Sequence, residues 1–258
     1  MQSLLRSPPM NLTQPRCFLT ALCLGSAFAL PLHADTVLET ETAELGKQWD
    51  MLISMSTQFE KDKDGNRTAF TLTQYEVGLT DRAEILIEPF FVEWDNPKTG
   101  KSFHGMGDLE ITPSYMIVLE KPYVPAIVLA FKLKVPTARN RNIGTGKYDY
   151  YPYLIFGKKI GHWIFNANFG YDIIASPPGD KLSNQFIYDF SVEREITDKW
   201  SVYAEVFANT KPTVGEKGTF SGAIATEYKF HEHFNVFVSV GYDTDGLFNV
   251  RPGFNIPF

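Results

Sequence analysis

The chain of 258 residues holds two cysteines, Cys17 and Cys23, and none beyond them. A small secreted scaffold stapled by disulfides is thereby excluded. Long apolar runs are equally scarce. No stretch of about 18 apolar residues follows residue 34, so no transmembrane helix is expected. Basic residues are in deficit, 24 Lys and Arg against 30 Asp and Glu. Two of those 24, Arg6 and Arg16, precede the first acid, Asp35, which leaves 22 cations against 30 acids and a net charge of −8 on residues 35–258. Nucleic acid, which asks for basic surface against phosphate, is not an expected partner.

What is present begins with a leader. Arg6 and Arg16 give a cationic start, residues 17–30 are apolar or small, and Leu32-His33-Ala34 offers a small residue for cleavage. That is the order of parts in a secretory signal. Arg16 and Leu22 precede the two cysteines, which argues against a lipoprotein. The expected division is a signal peptide over 1–34, a short N-terminal segment over 35–46, and one domain over 47–258. Both cysteines leave with the signal, so stability must come from a large core, a closed sheet or lipid.

Beyond the leader the chain is rich in Tyr, Phe, Trp, Val and Ile, with Gly, Pro, Asp and Asn recurring every 15 to 20 residues. This composition predicts many strands and few helices. Twelve candidates stand out, at 48–60, 67–79, 83–94, 107–120, 125–136, 147–158, 162–174, 185–196, 199–209, 218–229, 234–243 and 247–258. Their connections alternate in length. Residues 79–82, 120–124, 158–161, 197–199 and 230–233 are tight, whereas 95–105, 137–147, 175–184 and 211–218 are longer and more polar.

Side chains segregate with a period of two. Phe248, Val250, Phe254, Ile256 and Phe258 share one face of the last strand, and Asn249, Arg251 and Asn255 share the other. Trp163, Phe165, Phe169 and Tyr171 oppose Asn166, Asn168 and Asp172 in the same way. Aromatics gather near strand ends, among them Trp49, Phe59, Trp94, Trp163, Trp200, Phe230 and Tyr242, as interface girdles require. The expected fold is therefore all-β: an antiparallel transmembrane β-barrel of about 12 strands in the outer membrane, with both termini periplasmic. A soluble β-protein would have no reason to sort its loop lengths by end. Residues 67–79 break the pattern, because Phe70 and Leu72 are out of phase with Tyr75, Val77 and Leu79. A bulge near Thr73 would reconcile them.

Strand phase also selects an interior. Lys or Arg facing hydrocarbon costs ~2–4 kcal/mol at mid-bilayer, so charged positions belong in the lumen. The lumen-lining candidates are Asp108, Glu110, Lys132, Lys134, Asn166, Asn168, Asp189, Glu193, Glu205, Glu227 and Arg251. They allow two readings: ion pairs filling a narrow barrel, or a polar pore whose charges select solutes.

From about Glu41 onward the chain resembles an outer-membrane family associated with the MetA pathway of phenol degradation, whose members are described as transporters. The matching pieces are residues 42–59, Tyr75 to Ile85 (YEVGLTDRAEI), Gly105-Met106-Gly107-Asp108-Leu109, Pro125 to Thr137 (PAIVLAFKLKVPT), and Gly144-Thr145-Gly146 followed by Tyr148-Asp149-Tyr150. The resemblance implies an outer-membrane barrel passing small solutes, aromatic or hydrophobic ones included. Phe258, preceded by Ile256 and Phe254, also looks like the signal read by the barrel-assembly machinery.

Other motifs carry less. Gly105-Met106-Gly107-Asp108 lacks the third glycine of a nucleotide fingerprint. Gly144-Thr145-Gly146 lies among Arg139, Arg141 and Lys147, a basic loop that is either simply solvated or in contact with anionic lipopolysaccharide. His231 and His233 have only Glu232 as a nearby third ligand, so no metal or other cofactor is expected. Ser102 near His104 lacks the converging third group that nucleophilic catalysis needs, so the chain is not expected to be an enzyme. The expected partners are outer-membrane lipid and lipopolysaccharide, the assembly machinery and a small-molecule solute. A passive channel is the leading expectation. A plugged structural or surface-interaction barrel is the alternative, and a lipid-modifying hydrolase a more distant one.

Overall fold

The computed structural model describes residues 37–177, 182–210 and 217–258. The signal expected over 1–34 lies outside the described residues. Within them the chain forms β1 (Met51–Lys61), β2 (Arg67–Thr80), β3 (Ala83–Glu88), β4 (Phe90–Asn96), β5 (Lys101–Met106), β6 (Leu109–Val118) and β7 (Ala126–Val135). There follow β8 (Asp149–Ile160), β9 (Trp163–Asp172), β10 (Gln185–Thr197), β11 (Trp200–Asn209), β12 (Thr219–His231), β13 (Phe234–Asp243) and β14 (Phe248–Pro257). From β6 to β14 sequential neighbours pair antiparallel, and β1 pairs with both β14 and β2, which closes the sheet. Closure pairs the wall strands on both sides, as hydrocarbon requires, while among the described residues β5 bonds on one side only, to β4.

Two wall strands are each split in two. Both β3 and β4 pair with β2, and β6 and β5 pair with β3 and β4 in turn. The circuit therefore has twelve strands. The first break falls at Pro89, which has no N–H to give a ladder, although its carbonyl still accepts from Thr73 N at 3.1 Å. The second falls at Gly107, where a Cβ would lie 2.0 Å from the Phe90 ring.

Two sequence expectations are corrected here. No bulge occurs near Thr73, since β1 and β2 run in unbroken register from Met51↔Val77 to Lys61↔Arg67. Phe70 and Leu72 instead face inward, against a buried cluster of Phe90, Val92 and Ile143. Residues 95–105 are not an open loop. Apart from the turn at 97–100 they are the ends of a β4–β5 hairpin, with Trp94 and Phe103 stacked across it at 5.0 Å. Trp94 is thus occupied within the hairpin rather than in a girdle.

Alternation assigns the two faces. In β9, Ile164, Asn166 and Asn168 are buried while Trp163 and Phe169 are about half exposed. In β14, Arg251 and Asn255 are buried while Phe248 is exposed. The exposed set continues round the wall as Met55, Tyr75, Leu129, Phe190, Val206, Ile224 and Val240. An apolar exterior of this extent belongs in a bilayer, not in water. The turns at 81–82, 119–125, 161–162, 198–199 and 232–233 lie at one end, where Phe258 N also donates to Met51 O at 2.9 Å. The segment 136–148 and the described residues 173–177, 182–184, 210 and 217–218 lie at the other.

Candidate functional site

The interior is polar, and it is not empty. Residues 37–46 cross it, touching opposite parts of the wall near the short-turn end. Val37 and Leu38 pack on Ala225 and Phe237 from β12 and β13. Ala43 packs among Met116, Val128, Tyr153 and Ile155 from β6, β7 and β8. Gly46 N then reaches Glu84 of β3 at 3.2 Å. Two wall glycines make room at the close approaches. A Cβ on Gly157 would sit 2.6 Å from the Ala43 Cβ, and one on Gly78 would sit 1.9 Å from the Lys47 carbonyl oxygen. The chain leaves the lumen through Trp49, whose φ of 73° is the left-handed region, and Trp49 N donates to Gly78 O at 2.8 Å.

Wall side chains hold this segment largely by its backbone. Glu205 accepts from Glu39 N, Thr40 N and Thr40 Oγ1 at 2.8, 2.5 and 2.6 Å. Asn168 works both ways, its Oδ1 accepting from Glu41 N at 2.7 Å and its Nδ2 donating to Glu41 O at 2.9 Å. Those two bonds reproduce what a neighbouring strand would offer, so a segment with no strand partner still has its polar groups satisfied.

Charge is paired around the same segment. Lys132 Nζ lies 3.7 Å from Glu41 and 3.3 Å from Glu88. Tyr153 OH donates to Glu41 Oε2 at 2.5 Å, and Gln74 Nε2 donates to Glu88 Oε1 at 2.9 Å. Arg251 Nη1 donates to Glu39 Oε1 at 3.2 Å. Lys132 and Glu88 are each 1% exposed, so neither charge could be buried there without the other. Between the segment and β11–β14 remains a cavity of about 30 Å³, lined by Glu39, Gln58, Glu205, Ser239 and Arg251 among others.

A second group sits toward the long-loop end. Lys134 pairs with Asp149 and, at 3.7 Å, with Asp108, and donates to Thr145 Oγ1 at 3.1 Å. Asp108 Oδ1 accepts from Ala138 N at 2.9 Å. Gly144 fits against Asp108 with no room for a Cβ. The segment 136–148 is thereby drawn inward, and Ile143 enters the apolar cluster of Phe90 and Val92.

The eleven residues that strand phase assigned to the lumen are buried or nearly so. Asp108, Glu110, Lys132, Asn166, Asn168, Asp189, Glu193, Glu205, Glu227 and Arg251 are buried, and Lys134 is 12% exposed. They form no single centre. Lys132, Asn168, Glu205 and Arg251 meet the crossing segment, Asp108 and Lys134 meet the segment 136–148, and Glu227 binds Tyr203 OH and Asn255 Nδ2 at 2.9 and 3.1 Å. Sequence reasoning missed Glu39, Thr40 and Glu41, and also Gln74, Glu76, Glu84 and Glu88. The alternation Glu84, Leu86, Glu88 was there to be read. His231 and His233 lie with ring centres 5.8 Å apart, and no cluster of three metal-ligating side chains occurs among the described residues.

With that geometry in view, the chain can be set beside known proteins. The sequence profile of the family described as "Putative MetA-pathway of phenol degradation" matches residues 76–243. No curated protein sequence matches the chain. Among solved structures, an outer membrane channel from Pseudomonas putida F1 superposes with a TM-score of 0.65 at 10% identity, over 82% of this chain and 96% of that one. The NanC porin gives 0.61 at 13% identity, over 79% and 98%. The KdgM porin in complex with disordered oligogalacturonate gives 0.55 at 12%, over 80% and 99%. At such identities the likeness is one of fold.

Proposed function

We propose that this chain, which belongs to the MetA-pathway family of phenol degradation, is a passive outer-membrane channel for small solutes. The observation that carries the reading is the character of the inner wall. A barrel built only to stand in a membrane could fill its core with aliphatic side chains at less cost than with buried carboxylates. This one buries Glu76, Glu84, Glu88, Glu110, Asp189, Glu193, Glu205 and Glu227 around a lumen with few cations. Acid-rich linings disfavour anions, so neutral and cationic solutes are the class that fits. A phenol is a small neutral aromatic and falls in that class.

Lys132, Arg251 and the acidic residues are assigned to solute selection. Segment 37–46 is assigned to the constriction, and the short-turn end with both termini to the periplasm. Phe254, Ile256 and Phe258 are assigned to recognition by the assembly machinery, since β14 is also the strand that closes on β1, Phe254 opposite Met55 and Ile256 opposite Ile53. The basic segment holding Arg139, Arg141 and Lys147 is assigned to a solvated loop surface.

One observation favours a plugged barrel instead: the crossing segment is tied to the wall from β3 to β14. Purified protein in a planar bilayer separates the two. A channel gives discrete conductance steps, a reversal potential on the cation side in a salt gradient, and uptake of phenol into proteoliposomes. A silent bilayer and impermeable vesicles would establish the plug.

A further inference from the structure

A further open concavity lies outside the lumen. A cavity of about 570 Å³ lies on the outer face of the wall, at the long-loop end, across β14, β1, β2, β4 and β5. Register explains its make-up. Phe248, Lys61, Arg67, Asp95 and Ser102 are successive cross-strand neighbours, forming one row at the rim. Val250, Phe59, Ala69, Glu93 and His104 form the next row, nearer mid-bilayer. All ten line the cavity. A barrel wall is ordinarily convex outward, so a concavity spanning five strands marks a reversal of curvature where the β4–β5 hairpin departs from the wall.

The chemistry is ordered by depth and by side. The rim row carries two adjacent cations. At the β14–β1 side the cavity is apolar, with Phe248, Val250 and Phe59. At the β4–β5 side it holds acceptors, Glu93, Asp95, Ser102 and His104. One row deeper, Phe91 and Met106 stand side by side on the same face, and Met106 is 54% exposed. The basic segment 136–148 flanks the site, with the Asn140 side-chain amide donating to the His104 carbonyl at 3.5 Å.

A bare anion is poorly served here, because Glu93 and Asp95 would repel it. An ordinary fatty acid is poorly served for the same reason. The set is matched by a molecule with phosphate beside hydroxyl and amide donors, and with alkyl chains below. Phosphate takes Lys61 and Arg67, sugar hydroxyls donate to Glu93 and Asp95, and acyl chains run down past Phe91 and Met106. We propose that this cavity is a binding site for the phosphorylated sugar headgroup of an outer-leaflet glycolipid. The proposal rests on the outer-membrane reading with the long-loop end facing outward, and it moves the glycolipid contact from the basic loop to a built cavity on the wall.

The test uses the full chain in detergent, titrated with lipid A and read by native mass spectrometry. One lipid A is expected to stay bound per barrel. Lipid A stripped of its phosphates, and the K61S/R67S variant with intact lipid A, should each bind at least about tenfold more weakly. R139S/R141S should change affinity less than about threefold. In E93Q/D95N the preference for lipid A over phosphatidylglycerol should fall, a readout that does not depend on the cationic pair. Unchanged binding by K61S/R67S, or displacement of lipid A by inorganic phosphate or phosphatidylglycerol at equal concentration, would overturn the proposal. The heat-resistant compact band of a folded barrel on a gel, followed for every variant, keeps this outcome separate from failure of the membrane reading, in which no such band forms.

Discussion

Two obstructions enter the same lumen, and they are held by different physics. At the short-turn end, residues 37–46 are bound through their backbone by Glu205 and Asn168, with Lys132 and Arg251 balancing Glu41 and Glu39. At the long-loop end, residues 136–148 are bound by Ile143 in an apolar cluster and by Lys134 between Asp108 and Asp149. Directional bonds to a backbone fix position but are individually weak once water can replace them. Apolar burial is less directional, and it is part of the wall's own packing. The first obstruction adds directional bonds to the apolar anchors Val37, Leu38 and Ala43, whereas the second rests on Ile143 and one ion-paired lysine. On the proposed channel reading, solute control is assigned to the first.

That contrast can be tested by substitutions on each side. The largest effect is expected for Lys132→Met. It strips the counter-charge from Glu41 and Glu88 in a site closed to water, and loss of one partner of a buried pair costs about 3–5 kcal/mol. Urea unfolding followed by tryptophan fluorescence would measure it, and a change under about 1 kcal/mol would show that the pair is solvated. Ile143→Ala should follow, at about 2–4 kcal/mol, since it empties part of a closed apolar cluster. Its signature is loss of stability without a change in unitary conductance. Asn168→Ala should cost about 1–3 kcal/mol by leaving both polar groups of Glu41 without that partner. Here the expected signature is the reverse, noisier and larger current steps with a modest stability change. Equal effects of the last two variants on conductance would remove the distinction between the two ends. Lys158→Ala, which breaks the 2.6 Å pair with Glu120 at the short-turn surface, should stay within about 1 kcal/mol and mark the floor of the series.

The wall was legible because its physics is local. A strand between lipid and lumen must alternate, so residues 248–258 declare both faces without any knowledge of their neighbours. The buried charged positions were legible for the same reason, since Glu205 or Lys132 cannot be turned outward cheaply. The errors fall where something inside the barrel is apolar. Phe70 and Leu72 looked out of phase only because their inner partners, Phe90, Val92 and Ile143, come from two other parts of the chain. The hairpin at 90–106 was hidden by its Asp, Asn, Pro and Gly, which are turn formers. The crossing segment was not legible at all. Residues 37–46 have no period, and the bonds that place them reach residues 127 and 165 positions away. Sequence spacing carries no trace of such contacts, whereas the glycines that admit them, Gly78 and Gly157, read as ordinary strand glycines.

The role of residues 37–46 can be measured directly by comparing single-channel currents of the intact protein with those of a form lacking that segment, both shown to be folded barrels. A channel constricted by this segment conducts weakly when intact and several-fold more when it is removed, with cation preference retained because the acidic wall remains. Identical currents from the two forms, or silence from both, would contradict it.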